Sequence, residues 1–328
     1  MTKKRSRVRV AFTVVGALLA LAVLGMVVKF YVLSPKSRPP QSVTAKSTPE
    51  TIERGRYLAN NVAACMACHS TVQEDKPGDP VMPGRLGAGR DFGDLPGFPG
   101  HLRSPNLTPD KETGIGNVSD GELLRGIREG IGHDGHVLFP QMPYRTYAET
   151  LSDDDALAVI AYLRSLPPIT NDPGRTEVKF PVSMFIRAAP HPVETAVPPP
   201  PPASDKLARG NWLLSVCSCR ECHDTRNSRR EKIPGRAFAG GMKFPMPNGR
   251  GVAVAPNITS DPATGIGAYS EADLRRVFDE GKGKAGRNLY VMPWAYYGGL
   301  TTEDKDALIL ALRAVPPLSN IVAPSEIH

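Results

Sequence analysis

An apolar run close to the start of the chain is its clearest pattern. Nineteen residues without a charge, Val10 to Val28, follow the basic segment MTKKRSRVR. At about 1.5 Å per residue, a helix of this length crosses most of the apolar core of a bilayer. A cleavable signal has a shorter apolar core followed by a small-residue site, whereas the Ala20–Ala22 pattern lies inside this run. The pattern therefore favours an uncleaved membrane anchor, with a cleaved signal peptide as the alternative.

The residues that flank this run predict its orientation. Basic residues are retained on the cytoplasmic side of a membrane, so the rest of the chain is expected on the other side. Phe30 and Tyr31 are expected at the far interface, where Lys29 can extend its amine towards water. We therefore predict a single-pass protein of the bacterial inner membrane whose main part lies in the periplasm.

Beyond the run, the pattern of polar and apolar residues occurs twice. The segment SPNLTPDKETGIGNVSDGELLRGIREG (104–130) recurs as APNITSDPATGIGAYSEADLRRVFDEG (255–281) at a constant offset of 151. The flanks repeat too, with ERGRYL matching ARGNWL and LRSLPP matching LRAVPP. Self-similarity of this kind indicates a duplicated unit. We predict a first copy at residues 48–170 and a second copy at residues 204–320.

Each copy is predicted to contain three helices joined by long loops. Capping residues and prolines or glycines mark where these helices begin and end. The predicted starts are Thr48, Ser119 and Ser152 in the first copy and Ser204, Ser270 and Thr301 in the second copy. No alternation of strands and helices is evident. The expected fold is all-α, with two small helical domains in tandem after a transmembrane helix.

Composition supplies the remaining boundaries. The chain has 33 prolines and 31 glycines, a high content that predicts extensive loops. We assign residues 1–33 to the basic stub and anchor, 34–47 to a linker, 171–203 to a proline-rich linker, and 321–328 to a tail. Five consecutive prolines in AVPPPPPAS favour a stiff polyproline spacer of about 15 Å.

The net charge of +7 does not indicate a nucleic-acid-binding protein. Eight of the 40 basic residues fall within residues 1–38, where no acidic residue occurs. The other 290 residues contain 32 basic and 33 acidic side chains and so carry a net charge of −1. Nucleic acid is therefore not expected as a partner.

Two short motifs carry the candidate chemistry. CMACH (65–69) and CRECH (219–223) both fit C-x-x-C-H, the pattern of covalent c-type haem attachment. Cysteines three residues apart lie on one helix face and can reach two vinyl groups of one porphyrin, while the histidine binds the iron. A zinc site or a thioredoxin-like pair is the alternative for C-x-x-C, but it leaves both histidines unexplained. We predict two covalently bound haem c groups, with Cys65, Cys68, Cys219 and Cys222 as attachment sites and His69 and His223 as iron ligands.

A second ligand for each iron separates an electron carrier from an enzyme, because an open iron position can bind oxygen or peroxide. Met142 and Met292 occupy matching places, each before a proline and an aromatic residue, whereas Met82 aligns with Ile233. Met142 and Met292 are therefore predicted as the second ligands. A dihaem peroxidase is the alternative function.

Several residues near the motifs receive other roles. His133 and His136 have no histidine counterpart in the second copy, so we interpret them as exposed polar residues or neighbours of haem propionates. The carbonyl groups of Pro105 and Pro256 are expected to accept hydrogen bonds from the two motif histidines. Cys217 corresponds to Ala63 and is interpreted as a small buried residue, with intermolecular pairing as the alternative.

With these motifs, the chain resembles class I c-type cytochromes, in particular the cytochrome subunit of membrane-bound gluconate, alcohol and aldehyde dehydrogenases. NLTPDKETGIG, FPQMPYRTY and LSDDDALAVIAYLRSLPP carry the resemblance. It implies a protein without catalytic residues that takes electrons from a periplasmic dehydrogenase and passes them to quinone, an oxidase or another cytochrome. The chain departs from those subunits in having two haem motifs where they have three, and in its amino-terminal anchor.

Overall fold

A computed structural model describes residues 2–74, 76–228, 230–246, 249–283 and 286–328. The chain begins with helix α1 (Thr2–Val27), which continues as a π-helical turn over Val28–Val32. The segment Val10–Val32 is long and apolar enough to cross a membrane; most of it is exposed, but Phe30 near its end is buried. By length and composition this helix fits either an anchor or a signal sequence.

The first copy begins with α2, and its predicted helix starts are confirmed. Thr48, Ser119 and Ser152 each accept a hydrogen bond from a main-chain amide of the first helical turn. Ser119 and Glu122 form the predicted capping box, and the helix that they begin ends at Gly130 with φ of 74°. The helices are α2 (Pro49–Tyr57, extended by a π-helical turn over Leu58–Val62), α3 (Cys65–His69), α4 (Asp120–Glu129), α5 (Tyr144–Thr150), α6 (Asp153–Ser165) and, beyond this copy, α7 (Val182–Phe185).

The second copy repeats this order of helices. Ser270 and Thr301 cap their helices as predicted, but the first helix is capped by Asp205, one residue after the expected Ser204. The Asp205 carboxylate accepts a hydrogen bond from the amide of Ala208, a role that places the helix start one residue later. The helices are α8 (Lys206–Val216), α9 (Cys219–His223), α10 (Glu271–Asp279), α11 (Trp294–Tyr297) and α12 (Thr302–Ala314).

The prediction of an all-α fold is wrong, because each copy also contains a small antiparallel sheet. In each sheet two strands form a hairpin and a third strand comes from a segment about 75 residues later in the chain. Two to five residues are too few for an alternating pattern to be recognised in the sequence. The strands are β1 (Arg90–Gly93), β2 (Gly100–Ser104) and β3 (Glu177–Val178), then β4 (Lys243–Pro245), β5 (Gly251–Val254) and β6 (Glu326–Ile327).

The first and last helices of each copy pack very closely. A β-carbon added to Gly55 would lie 1.8 Å from the carbonyl oxygen of Ala158, and one added to Gly210 would lie 2.0 Å from that of Ala307. Glycine is therefore required where α2 crosses α6 and where α8 crosses α12. The arginine directly before each of these glycines, Arg54 or Arg209, forms a bidentate ion pair with an aspartate of the last helix. Their partners are Asp155 and Asp304, at 2.8 and 2.9 Å in both copies.

The largest hydrophobic cluster among the described residues spans both copies, and a smaller cluster lies between the first copy and the linker before it. Leu58 and Leu163 from the first copy belong to the same buried cluster as Leu213 and Leu308 from the second copy.

Reciprocal hydrogen bonds join the copies. Tyr57 donates to the carboxylate of Asp304 at 2.6 Å, and its counterpart Trp212 donates from Nε1 to the carbonyl of Thr150 at 2.9 Å. Equivalent faces of the two copies thus meet each other, as in a two-fold symmetric dimer.

The linker at residues 34–47 has no regular secondary structure but packs against the first copy. The amide of Ala45 donates to Asp120 at 2.8 Å, and Arg38 forms an ion pair with the buried Glu129 at 2.6 Å. The five prolines at residues 198–202 also lie outside helices and strands. The segment that precedes the prolines contains β3 and α7, which were not predicted.

Candidate haem sites

Both C-x-x-C-H motifs form short helices that follow a sharp turn. Ala64 precedes α3 with φ of 48° and Ser218 precedes α9 with φ of 56°, so a left-handed residue reverses the chain at the same place in both copies. Within one helical turn, Cys65 and Cys68 lie three residues apart, and the histidine follows directly. This arrangement places two sulfurs on one side and presents the imidazole beside them.

The predicted hydrogen bonds of the motif histidines are confirmed. His69 donates from Nδ1 to the carbonyl of Pro105 at 3.0 Å, and His223 donates to that of Pro256 at 2.9 Å. Because a carbonyl oxygen can only accept, the proton lies on Nδ1 and Nε2 is left with a free lone pair. Burial lowers the pKa of both imidazoles, although the hydrogen bond to the carbonyl acts in the opposite direction. Both rings are therefore held in the neutral tautomer that binds iron.

An asparagine after each of these prolines fixes the loop that supplies the carbonyl. The Asn106 side chain is almost fully buried; it accepts from the amide of Thr108 at 2.9 Å and donates to the carbonyl of Ile169 at 2.7 Å. Asn257 makes the same contacts with Thr259 and Leu318. These asparagines were not identified from the sequence, although their identity in both copies (SPNLT and APNIT) was an available signal.

The cysteine thiols lie in an environment that disfavours a negative charge. Burial raises the pKa of Cys65 and Cys219 to about 12 and that of Cys222 to about 11. Among the described residues, no group of three or more His, Cys, Asp or Glu side chains is placed to hold a metal ion by itself. Two thiols followed directly by a histidine instead fit the two thioether bonds and the iron ligand of haem c.

Met142 and Met292 lie half-buried at the edge of the shared core, which Cys65 and Cys219 also border. In each copy the methionine carbonyl accepts a hydrogen bond of 2.8 Å from the amide of the residue two positions later, which is Tyr144 or Trp294. The two methionine loops therefore have the same local conformation just before α5 and α11. Their role as iron ligands stays a prediction.

Other candidate residues have different surroundings. His136 pairs with Asp134 next to the exposed His133. Cys217 is buried as predicted and forms no disulfide, and its carbonyl accepts a hydrogen bond from Tyr297 at 2.9 Å.

The methionine loop of the second copy touches the haem motif of the first, a contact that no sequence pattern indicated. The hydroxyl of Tyr296 lies 3.4 Å from the carbonyl of Met66, inside CMACH, and Asn61 donates to the carbonyl of Tyr296 at 2.9 Å. A β-carbon on Gly78 would lie 2.7 Å from the ring of Trp294. Residues 294–296, which follow Met292 in the second candidate site, therefore contact residues within and near the first candidate site.

Comparison with known proteins identifies the type of domain. The cytochrome c family model matches residues 52–167. The chain is 30% identical over 291 residues to the fructose dehydrogenase cytochrome subunit of Gluconobacter japonicus, covering 86% of this chain and 56% of the relative. It is 31% identical over 271 residues to the gluconate 2-dehydrogenase cytochrome c subunit of Pantoea cypripedii, covering 78% and 55%. A diheme cytochrome c-type protein of Cereibacter sphaeroides is 27% identical, with coverage of 77% and 82%.

The chain spans about half the length of the two dehydrogenase subunits that it matches. Its match to the diheme protein extends over most of both chains. A cytochrome c domain binds haem c covalently, in agreement with the motif and the buried imidazole at residues 65–69. The chain therefore contains a cytochrome c domain at residues 52–167 and is similar to the cytochrome c subunits of dehydrogenases.

Proposed function

We propose that this protein is a membrane-anchored dihaem electron carrier that receives electrons from a dehydrogenase or another respiratory donor. It passes them to quinone, an oxidase or another cytochrome. The observation that carries the proposal is the duplicated site, in which a C-x-x-C-H helix and a proline carbonyl bonded to its histidine occur at equivalent places in both copies.

In this proposal each copy is a cytochrome c domain, with boundaries at residues 48–170 and 204–320. Cys65 and Cys68 attach one haem and Cys219 and Cys222 attach the other, which would supply each domain with a one-electron redox centre. His69 and His223 would hold the irons through Nε2, while the proline carbonyls hold the rings in place. Met142 and Met292 would supply the second ligand of each iron and so leave no iron position open to a substrate.

The contact between the copies supports electron exchange inside one molecule. The Tyr296 hydroxyl and the Met66 carbonyl link the loop after Met292 to the first attachment helix. The shared core holds the copies in a fixed arrangement, so one copy can receive an electron while the other delivers it.

The membrane location and the partners extend this proposal. The apolar helix would anchor the protein in the bacterial inner membrane by a single span, with both domains in the periplasm. The relatives are named as subunits of fructose, gluconate and alcohol dehydrogenases, which supports a dehydrogenase as the donor. The dehydrogenase would be found by purifying the protein from membranes and identifying by mass the proteins that accompany it.

Axial ligation is tested with the purified full-length protein by redox titration and cyanide binding. Replacing Met142 or Met292 with alanine should lower the reduction potential of one haem and open one iron to cyanide, because a thioether ligand raises the potential. Met82→Ala is the matched control, since Met82 is exposed and has no methionine counterpart, and it should change neither property. Rapid cyanide binding and peroxide turnover by the unmodified protein would contradict the carrier and support a peroxidase.

A further inference from the structure

Two aromatic side chains between the copies are exposed to an unusual degree. Phe180 is 73% exposed and Phe185 is 51% exposed, in a segment that forms α7. Large exposed apolar groups that cluster together mark a contact with a partner or a membrane.

This segment lies beside the carboxyl end of the apolar helix. The rings of Phe185 and Phe30 meet edge to face, with their centroids 5.3 Å apart. Tyr31, Val32 and Leu33, which follow Phe30, are also exposed. Phe185 and the end of the helix therefore form one apolar surface, and the exposed Phe180 lies five residues before Phe185 in the same segment.

Arg187 fixes this arrangement. Its guanidinium donates to the carbonyl of Phe30 at 2.7 Å and to that of Ser34 at 3.0 Å, and it lies 5.3 Å from the centre of the Tyr31 ring. Main-chain carbonyls at the end of a helix lack partners within the helix, and a cation there is favourable. The segment is thus joined to the helix end by polar bonds as well as by aromatic packing.

The same segment is tied to the first copy. β3 pairs with β2, and the amide of Lys179 donates to the carbonyl of Pro99 at 2.7 Å, directly before Phe180. A chain path of only a few residues therefore connects the sheet of the first copy to the aromatic side chains at the helix end.

Length places these aromatic side chains at the membrane boundary. The apolar span of 23 residues, Val10–Val32, is about 34 Å long as a helix, close to the roughly 30 Å of a bilayer core. Phe30 is near its outer end, so a ring packed against Phe30 lies at the level of the lipid headgroups. Aromatic side chains are favoured at this level, and nearby Lys29, Lys179 and Arg187 can reach the phosphates.

We infer that Phe180 and Phe185, with Tyr31 to Leu33, form a second membrane contact that inserts into the outer-leaflet boundary between headgroups and acyl chains. This inference rests on the proposed anchor and extends it. An anchor alone would let the first copy rotate about a tether, whereas this contact holds the sheet of the first copy in a set orientation to the membrane.

The contact is tested by spin labelling of the full-length protein in bilayer nanodiscs of phosphatidylethanolamine and phosphatidylglycerol. Single labels are placed in a Cys217→Ser background, which removes the free thiol of Cys217. The labelled positions are Phe180→Cys, Phe185→Cys, Leu18→Cys as a site in the span, and Ile321→Cys as an aqueous control, since Ile321 is 90% exposed. Collision of the label with oxygen and with a water-soluble nickel chelate is then measured, and unchanged visible spectra show that each variant is folded.

The expected oxygen-to-nickel collision ratio at positions 180 and 185 is several-fold above that at position 321 and below that at position 18. A ratio at both phenylalanine positions equal to that at 321, with a lipid-like ratio at 18, would overturn the second contact and leave the anchor in place. A mature chain found by mass to be cleaved after its apolar run would overturn the anchor and, with it, the contact.

Discussion

Replacing Tyr57 with phenylalanine tests how the two copies are joined. The Tyr57 hydroxyl is the donor of a 2.6 Å hydrogen bond to Asp304 of the other copy. The substitution removes one oxygen and leaves the aromatic ring. Arg209 still pairs with the carboxylate through two hydrogen bonds, so Asp304 does not become an isolated buried charge.

The size of the effect follows from the geometry. A hydrogen bond to a charged group contributes roughly 1.5–3 kcal/mol to stability. The Asp304 side chain is only 5% exposed, so water cannot readily replace the hydroxyl. Since the arginine pair remains, we expect Tyr57→Phe to lower the free energy of unfolding by about 2 kcal/mol at neutral pH.

The loss should depend on pH. Burial acts to raise the pKa of Asp304, but the hydrogen bonds from Arg209 and Tyr57 outweigh it and hold the pKa below its usual value. A lowered carboxylate pKa contributes stability that is present at neutral pH and is lost as the pH falls through the folded-state pKa. The difference between Tyr57→Phe and the unmodified protein should therefore stay constant down to about pH 4 and shrink below it.

Urea unfolding followed by far-ultraviolet circular dichroism at several pH values measures this difference. Tyr162→Phe is the matched control, because its hydroxyl contacts the neutral Asn60 within the first copy at 3.0 Å. The control should lose about 1 kcal/mol at every pH. If Tyr57→Phe lost no more stability than the control at neutral pH, the described junction would be incorrect.

Three further substitutions test other parts of the structure. Gly55→Ala should destabilise the protein by about 3 kcal/mol or more in urea unfolding, since its β-carbon would overlap the Ala158 carbonyl. Gly126→Ala is the control: this site has room for a methyl group, so the substitution should stabilise the protein by roughly 0.5–1 kcal/mol. Asn106→Ala should cost about 2–3 kcal/mol because it leaves buried loop groups without partners; equal stability would refute this role. Cys217→Ser should leave the haem content unchanged, and the protein should run as a monomer on non-reducing gels both with and without the substitution. A dimer band in the unmodified protein that disappears in the variant would instead show intermolecular pairing.

Local signals in the sequence predicted much of the helical framework. Ser119 with Glu122 begins a helix through contacts within four residues, so its capping box could be recognised without any knowledge of the fold. The bond from His69 to Pro105 was also predictable, because a proline at the start of the repeated segment follows the haem motif in both copies.

Contacts between distant segments could not be predicted in this way. β2 pairs with β3 more than 70 residues later, and neither strand is long enough to show a pattern. Tyr57 and Trp212 are aromatic residues on helices that read as parts of separate domains, and only packing of the two copies places them at a shared surface. The contact of Tyr296 with the first haem motif has the same origin.

The number of covalently bound haems per chain, measured on the purified protein by mass and by the pyridine haemochrome spectrum, tests whether both copies carry haem. Two haems are expected in the unmodified protein. One haem is expected after Cys65→Ser with Cys68→Ser, and one after Cys219→Ser with Cys222→Ser. A single haem in the unmodified protein, or two haems remaining in either double variant, would contradict one covalent haem in each copy.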